Sequence, residues 1–265
     1  MLERTLIELA DENLAESHRE FSRWHDRCVI VEEGGLLLTL GADRFPGVNF
    51  SMRAGPQRTS PMELMERSQA FFRESADGFA IRTRMHCDDD LITYCQQREL
   101  ACVGDSPGLV IEQPLPDESL PKGVSLSRVD DLAGAGELAS VSVRAYHTIG
   151  LPVATGEKMF ERVERLLSPH LHGVVAHVEG KPAAAAMVLL SHGIAGIYWV
   201  GTTPEARGHG LASHVTRAVG NWAFDHGAGA VVLQASKQGD PIYRAMGYRE
   251  FTRYPWFLSR TEQPS

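Results

Sequence analysis

The 23 residues between Lys181 and Glu205 contain no Asp, Glu, Lys or Arg. A stretch of that length could cross a bilayer as a helix, but its punctuation argues otherwise. Ser191-His192-Gly193 interrupts it and Gly201-Thr202-Thr203-Pro204 ends it. The apolar pieces, residues 183–190 and 194–200, are each of strand length, so the spacing predicts two buried strands joined by a tight turn.

The neighbouring segments extend this pattern. Residues 124–128 and 173–178 read as strands, and residues 131–146 and 157–167 as helices, with a Gly150- and Pro152-punctuated loop at 148–155. After the uncharged stretch, Leu211, Val215, Ala218, Val219 and Trp222 recur at helical spacing over 210–226, and Gly227 stops that helix. Residues 230–235 form a buried strand. Asp240 then reads as an N-cap with Pro241 at the first helical position, and residues 248–258 have strand propensity.

Pro114, Pro116 and Pro121 break the composition at 114–123, which suits neither helix nor central strand. This predicts a linker between an N-terminal domain at 1–113 and a C-terminal domain at 124–265. In the first half, residues 28–32 and 36–40 read as a hairpin and 48–53 as a third strand. Helix 61–74, strand 79–85, helix 88–99 and strand 109–112 follow, an order that echoes the second half. No residue-level repeat accompanies the echo. The fold class is therefore mixed α/β, a strongly twisted sheet flanked by helices, with a complete C-terminal unit and a partial copy in front.

Composition narrows the function. Charged residues at 23% and hydrophobic residues at 43% fit a globular protein rather than a disordered one. With 26 Lys and Arg against 34 Asp and Glu, the net charge of −8 argues against a general nucleic-acid or anionic-membrane binder. Cys28, Cys87, Cys95 and Cys102 are spaced by 59, 8 and 7 residues, with no Cys-x-x-Cys. The acidic, amphipathic Met1 to Asp11 stretch is unlike an export signal, so thiols in a reducing cytoplasm are expected.

The chemistry-bearing segment is Val200-Gly201-Thr202-Thr203-Pro204-Glu205-Ala206-Arg207-Gly208-His209-Gly210-Leu211-Ala212, between a buried strand and an amphipathic helix. Glycines at 208 and 210 let consecutive amides converge, and the positive end of the helix favours phosphate oxygens. Arg207 would add a charge-assisted contact. The alternative is a strand–helix turn that uses glycine only for tight geometry. The spacing fits neither Walker A nor the dinucleotide fingerprint.

Arg207-x-x-Gly210-x-Ala212 resembles the Arg/Gln-x-x-Gly-x-Gly/Ala signature of GCN5-related N-acetyltransferases, and Pro241-Ile242-Tyr243-Arg244-Ala245-Met246-Gly247-Tyr248 resembles their Tyr-x-x-x-Gly-Phe/Tyr ending. The likeness covers roughly residues 124–258. The N-terminal half resembles the degenerate first half of tandem members. Its loop Arg53-Ala-Gly-Pro-Gln-Arg-Thr-Ser-Pro61 lacks the signature. The resemblance implies acetyl-CoA-dependent transfer of an acetyl group to a small-molecule or peptide amine in a ternary complex. Only the C-terminal half would bind the cofactor. Backbone groups of Val200, Gly201 and Thr202 would pair with the pantetheine arm. Amides of Arg207, Gly208, His209, Gly210, Leu211 and Ala212 would hold the pyrophosphate, and Tyr243 would protonate the departing thiolate. Many members carry Asn four residues before that tyrosine; here it is Gly239.

No carboxylate lies in 194–200, where members often hold a basic Glu. Glu157, His147, His172 and His192 remain as candidate bases. The missing base motivates a second reading, an acyl-CoA-binding sensor or interaction module without turnover. No metal is expected. His170-x-His172 reads as a solvated strand start, and His86-Cys87-Asp88-Asp89-Asp90 as a helix start with Asp88 as N-cap. Gly-x-Ser-x-Gly, the elbow of Ser-His-Asp hydrolases, is absent.

Overall fold

A computed structural model describes residues 5–55 and 57–261. The first four residues of the Met1 to Asp11 stretch, and Pro56 of the loop after the third strand, lie outside the described residues. Helix α1 (Leu6–Ser22) opens on a capping box. The Thr5 hydroxyl accepts from the Glu8 amide, and the Glu8 carboxylate accepts from the Thr5 amide. The sequence showed the amphipathic start of this helix but not its length.

The first half continues with β1 (Ile30–Glu33), β2 (Leu36–Thr39), β3 (Phe50–Arg53), α2 (Pro61–Phe72), β4 (Gly78–Arg82), α3 (Asp89–Gln97) and β5 (Ala101–Ile111). The second half holds β6 (Val124–Arg128), α4 (Leu132–His147), α5 (Val153–Met159), β7 (Leu171–Val178), β8 (Lys181–Ser191), β9 (Ile194–Thr202), α6 (Leu211–Asp225), β10 (Val231–Gln234), α7 (Asp240–Ala245) and β11 (Arg249–Arg260). The uncharged stretch is β8 and β9, paired antiparallel around the expected turn. Among the described residues no helix is long and apolar enough to cross a membrane.

The eleven strands among the described residues join one sheet in the order β1-β2-β3-β4-β11-β5-β10-β9-β8-β7-β6. The two halves interlock in it: β11, last in the chain, lies antiparallel between β4 and β5, and β5 in turn lies between β11 and β10. Helix α6 covers one face of the second half through Leu211, Val215 and Val219, while α4 and the end of α1 cover the other around Leu138, Trp24 and Trp199. In the first half, α2 and α3 bury Leu64, Phe72 and Leu91.

Several expected elements differ in extent. The expected helix at 157–167 is split. Helix α5 begins inside the expected loop, and a 3₁₀ turn follows at Val163–Leu167. The break lies where the Arg162 amide donates to the Trp24 carbonyl at 2.7 Å, a long-range bond that replaces a helical one. Strand β5 starts eight residues earlier than its apolar run, because its polar part pairs with β11 rather than being buried. The cap of α7 is Gly239, one residue before the expected Asp240, whose carboxylate instead pairs with Arg244 at 2.8 Å. Asp88 precedes α3 without capping it, since Arg84 and Arg53 take its carboxylate.

Candidate active site

Strands β9 and β10 run parallel for only three pairs, Val231 with Ala195, Val232 with Gly196 and Leu233 with Ile197. Beyond them β10 ends at Gln234, while β9 continues to Thr202. Among the described residues, 198–202 therefore carry backbone donors and acceptors with no strand opposite on that side. On its other side β9 is bulged: Tyr198 pairs with Met187 and Gly201 with Ala185, so Trp199 and Val200 together oppose Ala186. Trp199 takes a φ of +55° there, a conformation that non-glycine residues hold only when packing fixes them. Its ring is wedged among Phe21, Tyr146 and Phe160.

Helix α4 packs on the face of β9 beside this open edge. A Cβ at Gly201 would lie 2.6 Å from that of Ala145, so glycine permits this approach. Next to Ala145, Tyr146 packs on Trp199 with ring centres 4.7 Å apart, and burial raises its phenol to about 12. Tyr243 on α7 is 7% exposed and meets Tyr248 edge-on at 6.0 Å. Burial raises its pKa well above the usual phenol value, reinforced by Tyr146 and Tyr248; the Thr216 hydroxyl acts in the opposite sense, without a well-aligned hydrogen bond. The phenol therefore stays protonated at neutral pH, as a proton donor requires. Gly239 lies beneath its ring, and a Cβ there would stand 2.8 Å from Tyr243 Cε2.

After β9 a 3₁₀ turn at Pro204–Ala206 leads to Gly208 and Gly210, with φ of +81° and +70°. A Cβ at either would meet nothing within 4 Å, so glycine is required for the left-handed backbone rather than for space. Gly210 caps α6 without any side-chain acceptor. The amides of Gly208, His209, Gly210, Leu211 and Ala212 find no acceptor among the described residues. They thus form a loop of free donors at the positive end of a 15-residue helix. The expected Arg207 differs: its amide lies 3.5 Å from the Pro204 carbonyl, and its guanidinium donates to Thr148 Oγ1 at 2.5 Å.

The four candidate bases are scattered. His172 is buried and stacked on Trp222 at 4.1 Å, so the expected solvated strand start is incorrect; burial, then Arg128 and His226, lower its pKa to about 4. His192 sits in the β8–β9 turn, 3.8 Å from Glu12. Glu157 and His147 share a cavity of about 520 Å³ between α4 and α5, lined also by Val143, Val153, Phe160 and Pro204. The break between α5 and the 3₁₀ turn shapes its wall, where Phe160 and Val163 lie. The His86-Cys87 segment meets α1: His86 Nε2 lies 3.0 Å from Asp11 Oδ2, an oxygen that Arg84 also holds at 3.1 Å.

The Acetyltransferase (GNAT) family profile matches residues 142–248, which span the bulged strand, the glycine loop and Tyr243. Residues 142–248 form a GNAT domain. No curated protein matches the chain significantly. Solved structures extend the likeness in fold to nearly the whole molecule. A GCN5-related N-acetyltransferase from Kribbella flavida aligns at TM-score 0.71 and 20% identity, over 94% of this chain and 95% of that one. One from Sphaerobacter thermophilus aligns at 0.60 and 16%, over 87% and 78%. A tandem GNAT protein from the clavulanic acid biosynthesis pathway aligns at 0.60 and 13%, over 89% and 83%. The chain thus has a GNAT-type mixed α/β fold, and the GNAT domain carries the parted strands.

Proposed function

We propose that the protein transfers the acetyl group of acetyl-CoA to a small-molecule or peptide amine by direct attack in a ternary complex. The observation that carries this reading is the convergence on one domain of an unpaired strand edge, five free amides at a helix start and a protonated buried phenol. In this reading the edge at Val200, Gly201 and Thr202 pairs with the pantetheine arm. The amides from Gly208 to Ala212 grip the pyrophosphate, and Arg207 steadies the loop through Thr148. The amine nitrogen attacks the thioester carbonyl, the C–S bond breaks and Tyr243 supplies a proton to the thiolate, while the proton lost by the new amide nitrogen passes to solvent and the phenolate is reprotonated from solvent. General-acid help of this kind is typically worth ~10²–10⁴ in rate.

The amine must arrive neutral. At pH 7.4 deprotonation costs ~4 kcal/mol for a lysine-type amine and under ~1 kcal/mol for an α-amine. With no carboxylate on β9, an acceptor of lower pKa suits this site better.

Residues 124–265 would be the catalytic domain, 114–123 the linker and 1–113 a degenerate partner, in the cytoplasm. The cradle-equivalent of the first half supports that division. The N-terminus of α2 is closed by its own Ser60 cap and by Pro61, and Arg53 and Arg58 before it are tied to Asp90. Acetyl-CoA titration, followed by thiol release across an amine panel, tests the reading. Saturable binding and amine-dependent release are expected. Binding without release from any amine would favour the acyl-CoA sensor, which the missing base motivates, and absence of binding would end both.

A further inference from the structure

Arg82 on β4 carries a charge that the described residues leave unanswered. Its Nε is sealed from solvent without an acceptor, and no carboxylate among the described residues ion-pairs with it. Nearby Arg53 and Arg84 end on Asp88, Asp90 or Asp11. Arg82 instead lies between two rings, its guanidinium carbon 4.5 Å from the centre of Trp256 and 5.0 Å from that of Phe50. Burial with no compensating anion lowers its pKa to about 10, so it remains a cation at neutral pH. His18 of α1 packs on Phe50 at 4.4 Å, and neither of its ring nitrogens has a partner among the described residues. Burial and the Arg82 and Arg19 charges keep that imidazole neutral, with one free N–H. Trp256 is seated on β5 by a glycine: a Cβ at Gly104 would lie 1.8 Å from the indole Nε1.

We propose that Arg82, clamped between Phe50 and Trp256 beside His18, is a binding site for the carboxylate of a small ligand. A planar guanidinium presents a fork that matches a carboxylate with two parallel hydrogen bonds, and the flanking rings hold the fork in one plane. A single cation beside a neutral imidazole balances a monoanion and leaves a phosphate dianion half-neutralised. Arg82 is partly exposed and only its Nε is sealed, so its Nη atoms can meet a carboxylate arriving from solvent.

The test uses the full chain, titrated calorimetrically with α-amino acids, their carboxamides and inorganic phosphate. Amino acids are expected to bind roughly 10- to 100-fold tighter than the amides, the span set by a charge-assisted pair. Arg82→Met should erase that preference while melting at or above the wild-type temperature, which separates lost binding from lost folding. Arg82→Lys should restore only part of it. Equal binding of acid and amide, an unchanged Arg82→Met, or phosphate as the tightest ligand would overturn the site.

Discussion

At the scale of single residues, Tyr243 is where burial and chemistry meet. Burial keeps this phenol protonated and available to donate, while the same upward shift makes it a weaker acid toward a thiolate. Tyr243→Phe is expected to leave acetyl-CoA affinity within about twofold and to lower turnover by ~10²–10⁴. Calorimetry and thiol release check the two halves separately, and unchanged turnover would exclude the phenol from the mechanism. His86 makes a different prediction. Burial opposes its charged form, but the hydrogen bond to Asp11 outweighs this, together with Cys87, and raises its pKa from 6.5 to about 9. A folded-state value above the unfolded one stabilises the protein fully below pH 6.5, and that contribution disappears as the pH rises through 9. Denaturant melts should show stability falling between pH 6.5 and 9, and His86→Gln should flatten that part of the curve.

At the scale of elements, the start of α6 depends on two glycines whose φ values an L side chain rarely adopts. A β-branched residue at 210 costs roughly 1–2 kcal/mol in that conformation, so Gly210→Val should relax the loop and misalign its amides. A loss of acetyl-CoA affinity of roughly 5- to 30-fold is expected from that cost, measured by titration, and the same strain should lower the melting temperature by roughly 2–8 °C. Helix α1 is held differently. The fully buried Glu20 carboxylate accepts from Arg23, Arg165 and the Trp24 indole, joining the helix to the 3₁₀ turn before β7. Removing one partner of a buried pair strands the others, so Glu20→Ala should cost about 3 kcal/mol in a denaturant melt. These elements were unequally legible. Strands β8 and β9 followed from apolar runs of strand length, whereas the polar part of β5 carries no such run and is a strand only because β11 lies beside it.

At the scale of the whole molecule, the interlocked sheet binds the halves together. Residues 120–265 expressed alone would lack β5, leaving β10 and β11 without the strand between them. Exposed edges of that kind aggregate. The fragment is expected to be insoluble or unfolded by circular dichroism, while residues 5–265 bind acetyl-CoA. A folded, ligand-binding fragment would show that the first half is dispensable to the cradle.

The local ingredients of the site were set by the sequence. Glycines at 208 and 210 determine a left-handed loop, the apolar period after Leu211 a helix, and the uncharged stretch a strand pair, because backbone sterics and burial periodicity act over a few residues. Tertiary structure decided what those ingredients face. The three-pair limit of β9 with β10, the Trp199 bulge, the stacking of His172 on Trp222 and the unanswered charge of Arg82 depend on groups distant in sequence. Such contacts form only when the whole sheet has closed, and no local pattern records them.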